Sequence, residues 1–349
     1  MDVKILNLNR LQKLLKCKCQ DEVNRKDGSF VNHVQKASST VSTNQNSMKK
    51  RMSQKSKDRI FIGVCVLPAV LLFSLFILYP MGKGLWMSLY RHTGLSGTAT
   101  FIGLENFQTL FADPIFLNSI KSMLFILVTF PLITMVLAMG LAVLITQGKL
   151  HKIEKKFFKM IIFFPNILSM VVIGVLFLYL YDYNLGLVNG FLDLIGLVAL
   201  KQTWLGQSNT VLWALVATMV WQATGYYMVM YMAGINQIPQ DLYEAADIDG
   251  ASKWTQFFKV TLPLLWQILR VTIVFFITGA FNLTFIFVTV MTQGGPNNAS
   301  TVPLTYMYNQ AFTNANYGYS MAIAVVVFLF AITLSFIIQK LTDRDAIEF

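Results

Sequence analysis

The sequence contains few charged residues. Asp, Glu, Lys and Arg together make up 13% of the 349 residues, about half the share found in a soluble domain. Hydrophobic residues reach 55% and the mean hydropathy is +0.56. This composition excludes an ordinary soluble domain and predicts an integral membrane protein. Cysteines are equally scarce: Cys17 and Cys19 have no downstream partners for a metal site, and Cys65 adds no disulfide framework.

Motifs for catalysis are also missing. His33, His92 and His151 do not cluster with carboxylates at metal-ligand spacing. Neither the nucleophile motif G-x-S-x-G nor the phosphate-binding motif G-x-x-x-x-G-K-[ST] occurs. The sequence therefore predicts no catalytic residue, no metal site and no cofactor. If ATP drives this protein, another chain must hydrolyse it.

Ionisable residues are nearly absent from the interiors of the apolar runs. Lys121, Asp182, Arg270 and Lys340 all fall near the ends of such runs. A proton-coupled carrier needs ionisable groups inside the bilayer, so their scarcity argues against a proton relay. Backbone carbonyls could still bind sodium, which leaves a secondary carrier open.

Six apolar runs are long enough to cross about 30 Å of hydrocarbon. They cover approximately residues 60–80, 120–146, 160–181, 211–234, 264–291 and 319–339. Lys and Arg cluster before the first run, after the second and after the sixth, and cytoplasmic loops hold these residues preferentially. We therefore predict an all-α, multi-pass membrane protein with both termini cytoplasmic. The six-span domain covers residues 60–342, and a short cytoplasmic tail follows over 343–349.

The N-terminal tail, residues 1–59, carries much of the net charge of +11. It holds half of the 28 Lys and Arg residues but only five of the 17 acidic residues. We interpret it as a basic cytoplasmic flank attracted to anionic lipid. Nothing in it resembles a nucleic-acid-binding motif, so no nucleic-acid partner is predicted.

Between the fourth and fifth runs lies a polar segment, PQDLYEAADIDGASKWTQFFKVTLP, residues 239–263. Pro239 suits the first turn of a helix, Gly250 supplies a turn and Ser252 can cap a second helix. Two faces are predicted, formed by Leu242, Ala245, Ala246 and Asp249 on the first helix and by Trp254, Phe257 and Phe258 on the second. By its amphipathicity alone, this cytoplasmic segment could simply rest in the lipid headgroups.

The spacing inside the segment is more specific than its amphipathicity. Its pattern is E-A-A, three residues, G, nine residues, a β-branched residue, one residue, L-P, formed by Glu244, Ala245, Ala246, Gly250, Val260, Leu262 and Pro263. It resembles the signature of permease subunits in binding-protein-dependent ABC importers, with Val260 where Ile is usual. The resemblance implies that these residues form coupling helices, which dock into a groove on a cytoplasmic ATPase.

The resemblance extends over roughly residues 60–345 and is strongest to the carbohydrate branch, the maltose- and glycerol-phosphate-type permeases. The stretches WQATGYYMVMYMAGINQIPQDLYEAADIDGAS and TQGGPNNASTVPLTYMYNQAFTNANYGYSMAIAV carry it. It implies a type I importer fold in a bacterial plasma membrane, in which this chain is the first of two homologous permease subunits. It also implies two copies of an ATPase subunit and an extracytoplasmic sugar-binding protein as partners.

The function implied is ATP-driven import of a sugar, and of an oligosaccharide in particular, with this chain forming half of the pore. The alternative is a self-contained facilitator or secondary carrier without an ATPase. Residues 1–47 depart from the family pattern. They are interpreted as disordered or as preceding the true start, at Met48 or Met52.

Sugar sites combine aromatic faces with amides and hydroxyls, and pore sites lie near the bilayer midplane. The candidates are Trp221, Gln222, Thr224, Tyr226 and Tyr227 in the fourth run and Asn282, Thr284 and Thr289 in the fifth. Of these, Gln222, Tyr226, Tyr227, Asn282 and Thr284 are predicted to bind substrate, with the resemblance supporting all but Tyr227. Each could instead serve helix packing. Four further residues, Tyr306, Tyr308, Asn309 and Gln310, are predicted to shape the outer mouth.

Overall fold

The computed structural model describes residues 54–92, 99–148 and 150–342. Most of the basic tail, the alternative starts Met48 and Met52, and the C-terminal tail 343–349 lie outside the described residues. The chain divides into two compact units, one ending at Phe73 and one beginning at Ser74. The described part of the first unit is a helix with Pro68 in its interior.

The described residues are mostly helical. The helices are α1 (Gln54–Phe73), α2 (Tyr79–Met87), α3 (Glu105–Ala112), α4 (Pro114–Gln147), α5 (Lys152–Ile167), α6 (Met170–Leu180), α7 (Leu187–Leu194), α8 (Val211–Ile235), α9 (Gln240–Ile248), α10 (Lys253–Gln256), α11 (Leu262–Leu264), α12 (Trp266–Met291), α13 (Pro303–Tyr308) and α14 (Tyr317–Thr342). Short π-helical turns cover Ser74–Leu78, Phe257–Thr261 and Asn309–Thr313, and a 3₁₀ turn covers Val198–Leu200. A two-stranded antiparallel sheet pairs β1 (Tyr90–Arg91) with β2 (Thr100–Phe101).

Four helical stretches are long and apolar enough to cross a membrane: Phe61–Met87, α4, α12 and α14. They correspond to the first, second, fifth and sixth predicted runs. Span two begins earlier than predicted, at Pro114 rather than 120. Asp113 and Pro114 start this helix: the Asp113 carboxylate accepts a hydrogen bond of 2.8 Å from the Ile115 N–H, and proline fits a first helical turn.

The third predicted run is not one continuous helix, so that expectation was wrong. It consists of α5 and α6, which meet at an angle of 100°. Leu168 and Ser169, between them, have extended backbone conformations, and Pro165 in the last turn of α5 provides no N–H for the helical hydrogen-bond ladder. A continuous apolar sequence therefore conceals a break in the helix.

The fourth run is α8, whose 25 residues span about 37 Å at 1.5 Å per residue. Unlike the four helical stretches above, α8 is not apolar enough by composition to be recognised as a membrane-crossing helix. Its polar residues Thr218, Gln222 and Thr224 are buried inside the protein, because α8 is packed against α4, α5 and α12. This helix therefore forms the centre of the bundle.

Close backbone contacts hold α8 in that central position. A Cβ atom on Gly225 would lie 2.1 Å from the carbonyl oxygen of Ile162, so α8 and α5 touch through their backbones. Small residues allow this approach between membrane helices. On the other side, the Tyr227 ring stacks on Phe276 of α12 at 4.2 Å, and Phe276 meets Phe130 of α4 edge to face at 5.0 Å.

Candidate functional site

The segment 239–263 folds as two short helices joined by a tight turn. Pro239 lies at the N-cap of α9, one position before the predicted first turn. Gly250 has φ of +72°, a left-handed conformation that favours glycine, and a Cβ there would meet nothing within 4 Å. Ser252 caps α10 as predicted, because its Oγ accepts a hydrogen bond of 3.3 Å from the Thr255 N–H.

Side chains brace the two helices against each other. The Asp247 carboxylate accepts a hydrogen bond of 3.0 Å from the Lys253 Nζ and another from the Gln256 Nε2. Gln256 is only 2% exposed. The Tyr243 hydroxyl lies 2.9 Å from the Thr261 Oγ1, which forms a second link. The segment is therefore one internally fixed unit, and we refer to residues 239–263 as the coupling segment.

The electrostatics of the brace favour an ionised carboxylate. The hydrogen bond from Lys253 is the largest influence, followed by that from Gln256, and together they lower the pKa of Asp247 below its ordinary value. Sequence reasoning missed Asp247, Gln256, Tyr243 and Thr261. Their spacing crosses a turn and two helix ends, so no helical period brings them together in advance.

The coupling segment exposes large apolar side chains. Ile248 is 87% exposed and Trp254 is 75% exposed, and the Trp254 ring stacks on Phe258 with 6.2 Å between centroids. Phe257, predicted in the same stripe, instead packs partly buried against the core. The predicted stripe of three aromatic residues is therefore a pair. An exposed apolar patch of this kind indicates a partner surface or a lipid contact.

The residues of the E-A-A pattern divide into two groups. Glu244, Ala245, Gly250 and Pro263 lie at the surface. Ala246 is half-buried, and Val260 and Leu262 pack against the core. The pattern thus combines exposed residues with residues of the π-helical turn and α11 that anchor the end of the segment to the bundle.

The predicted pore residues do not form one cluster in this structure. On α8, Gln222 and Tyr227 are buried whereas Tyr226 is 42% exposed. On α12, Asn282 is exposed and Thr284 is buried. Residues two apart on a helix are separated by about 200°, so Asn282 and Thr284 point in opposite directions. Trp221, Tyr226 and Asn282 are exposed, whereas Thr224 is buried and Thr289 is half-buried.

Two of the residues predicted at the outer mouth, Tyr306 and Gln310, belong to a hydrogen-bonded network. The Tyr306 hydroxyl donates to the Asp113 carboxylate, which also accepts a bond of 2.7 Å from Tyr319. Gln310 donates to the Tyr306 oxygen at 2.9 Å. Partial burial alone would raise the pKa of Asp113, but these tyrosine bonds and backbone N–H groups lower it overall. This network joins the start of α4 to α13 and α14.

Two other predicted mouth residues behave differently. Tyr308 is half-exposed, and its ring contacts Phe285 and Phe312. Asn309 begins the π-helical turn that follows α13.

Burial of Tyr306, together with the Asp113 carboxylate on its hydroxyl, raises the pKa of that hydroxyl to about 12. Tyr306 therefore stays a hydrogen-bond donor at every physiological pH.

A metal centre finds no support in the described ranges, 54–92, 99–148 and 150–342. Among them, no group of three or more His, Cys, Asp or Glu side chains lies close enough to hold an ion.

Comparison with known proteins gives consistent matches. The family model for "binding-protein-dependent transport system inner membrane component" matches residues 46–348. The chain is 35% identical to the "probable ABC transporter permease protein YurN" of Bacillus subtilis, over 82% of this chain and 97% of that protein. It is 32% identical to the "diacetylchitobiose uptake system permease protein NgcF" of Streptomyces coelicolor, over 79% of this chain and 78% of that one.

A solved structure has the same fold. The bacterial alginate ABC transporter, crystallised in complex with its alginate pentasaccharide-bound periplasmic protein, contains a chain that matches with a TM-score of 0.71 and 22% identity. The match covers 85% of this chain and 98% of that chain.

Proposed function

The chain belongs to the family of binding-protein-dependent transport system inner membrane components, and from that premise we propose that it is the permease subunit of an ATP-driven sugar importer. It forms half of the translocation pore in a bacterial plasma membrane, with both termini cytoplasmic. The observation that carries this proposal is the coupling segment, a braced two-helix unit with a left-handed glycine turn and an exposed apolar face.

The partner at that face is proposed to be an ATPase subunit, present in two copies in the complex. Trp254, Phe258 and Ile248 present apolar area suited to a groove, and Glu244 and Ala245 lie on the exposed first helix. The permease itself is not an enzyme. ATP hydrolysis is assigned to the partner, since this chain carries no phosphate-binding motif.

The connections of the coupling segment explain how motion would reach the pore. It follows α8 directly through the buried Ile238 and leads into α12 through the π-helical turn and α11. All five proposed substrate residues lie on α8 and α12. Because hydrogen bonds brace the segment, a displacement at its exposed face is passed on as a whole rather than absorbed in the turn.

For the sugar pathway, we propose that Tyr226 and Asn282 make the contacts in the state described here. Both are accessible, one supplying an aromatic face and the other an amide. Gln222, Tyr227 and Thr284 are buried in this chain and would contribute only after the helices move. A second, homologous permease subunit completes the pore, and an extracytoplasmic sugar-binding protein delivers the substrate.

The proposal is tested by purifying the tagged chain after expression with the genes beside it. We expect a stable complex with a nucleotide-binding subunit, and uptake into proteoliposomes that requires ATP and the binding protein. Glu244→Lys should abolish uptake while the complex still assembles in the membrane. Sugar uptake by the chain alone, without ATP, would favour the self-contained carrier instead.

A further inference from the structure

A polar cleft lies at the end of the bundle away from the coupling segment. Its volume is about 580 Å³, within the range of small-molecule sites. Three separate parts of the chain line it: the first turns of α4, the residues before α8 and the loop after α12. The side chains that matter are Lys121, Asn118, Ser122, Phe125, Ser208 and Asn297.

Hydrogen bonds fix the walls of this cleft. The Asn118 Nδ2 donates to the carbonyl oxygen of Asn298 at 2.9 Å, and the Ser122 Oγ lies 3.1 Å from the carbonyl oxygen of Ala299. Both bonds hold the loop after α12 against α4. Asn297 and Asn298 have φ of 48° and 60°, a left-handed conformation that asparagine tolerates better than most residues.

The cleft combines an apolar face with groups that can bond hydroxyls. The Phe125 ring lines one wall and meets Trp213 edge to face at 5.0 Å. The amide of Asn297 and the hydroxyl of Ser208 are exposed at the opening. An aromatic face beside amides and hydroxyls suits a sugar ring and its hydroxyl groups.

The charge in the cleft is not balanced by a neighbouring carboxylate. Lys121 is exposed and makes no ion pair within the part of the chain that the structure describes. The carboxylates of the flanking loops are engaged elsewhere: Glu105 with Arg91, Asp193 with Lys201, Asp182 with the backbone N–H groups of Asn184 and Leu185, and Asp113 with Tyr306 and Tyr319. The cleft therefore favours a ligand that brings its own negative charge.

We propose that this cleft binds an acidic saccharide, with a carboxylate on Lys121, a ring face on Phe125 and hydroxyls on Asn297 and Ser208. This rests on the proposed sugar import and narrows its substrate class to sugars that carry an acid group. The cleft is a subsite separate from the Tyr226 and Asn282 positions, reached before the substrate enters the centre of the bundle.

The test uses the complete transporter in phosphatidylcholine nanodiscs, titrated calorimetrically with trigalacturonate and with the neutral trisaccharide maltotriose. An ion pair with an exposed lysine supports up to about a fivefold preference for the acidic sugar, which we expect in the unaltered protein. Lys121→Gln should abolish that preference and Lys121→Arg should retain it. Lys83→Gln, which removes another exposed lysine from α2, serves as the matched control and should change nothing.

Several results would overturn the inference. Equal affinity for the two sugars, or a preference that survives in Lys121→Gln, shows that Lys121 does not select charge. If Lys121→Gln weakens association with the binding protein, or reduces copurifying anionic lipid, and leaves saccharide affinity unchanged, the lysine serves that other contact. ATP-dependent uptake of neutral and acidic sugars is measured in parallel. Uptake without charge selection refutes only the proposed binding of an acidic saccharide in the cleft, whereas no sugar uptake at all refutes the proposed function.

Discussion

Gly250 allows the coupling role to be tested through backbone conformation alone. Its φ of +72° is left-handed, and a Cβ would meet no atom within 4 Å. Substitution therefore adds no clash and costs only backbone strain, about 1–2 kcal/mol for an L residue. That strain lowers the equilibrium ratio of the native turn to its alternative conformations by roughly 5- to 30-fold relative to glycine.

The expected result is a graded series. Gly250→Asn should stay close to the unaltered protein, because asparagine tolerates the left-handed region. Gly250→Ala should lose part of the activity and Gly250→Val most of it, because a β-branched residue is least tolerated there. Sugar uptake and binding-protein-stimulated ATP hydrolysis are measured for each variant, together with the melting temperature of the complex, which this strain should lower by no more than a few degrees.

Two outcomes would refute this reasoning. If Asn impairs uptake as strongly as Val, the position senses side-chain volume at an interface and not backbone conformation. If all three variants transport normally, the turn does not transmit the ATPase motion. Gly279→Ala is the matched control, since Gly279 lies within α12 with ordinary φ and open space around it.

Three further predictions follow from other contacts. Gly225→Leu should prevent correct packing of α8 against α5 and destabilise the fold by about 3 kcal/mol or more. Size-exclusion chromatography should show the loss of folded complex, and Gly140→Leu, at a position with open space around it, is the control. Gln256→Leu removes one bond to Asp247 and should speed hydrogen exchange across the coupling segment several-fold, with uptake reduced; unchanged exchange would contradict the bracing role. Ionised Asp113 should stabilise the unaltered protein above about pH 4, and this contribution should disappear as the pH falls further, since its folded-state pKa lies below the ordinary value of 3.8. Asp113→Asn should lack this contribution, so melting curves from pH 7 to pH 3 that run parallel in the two proteins would contradict the prediction.

The sequence predicted where the membrane helices lie better than it predicted where a helix is broken. The apolar runs for α4, α12 and α14 were evident because lipid-facing residues must be apolar whatever their neighbours do. The break between α5 and α6 was missed although Pro165 precedes it, because a proline in an apolar run can also lie inside a continuous helix, as Pro131 does in α4. Only packing against other helices shows that this backbone turns.

In the coupling segment, too, local features were predicted and contacts between distant positions were not. Gly250 and Ser252 were predicted because their roles are local, a left-handed turn and a cap. The contact between Asp247 and Gln256 spans nine positions across that turn, which no periodicity encodes. For the pore, residue type alone could not separate Asn282 from Thr284, although helix geometry turns them to opposite sides.

The buried polarity of α8 has a consequence for biogenesis. A helix that holds Gln222, Thr218 and Thr224 in its interior partitions into lipid less readily than its neighbours when released alone. We expect α4 and α5, which are synthesised first, to stay at the insertion machinery until α8 emerges and packs against them. Synthesis of this protein would then proceed by joint release of a helix group, so slow translation just after α8 should favour correct assembly.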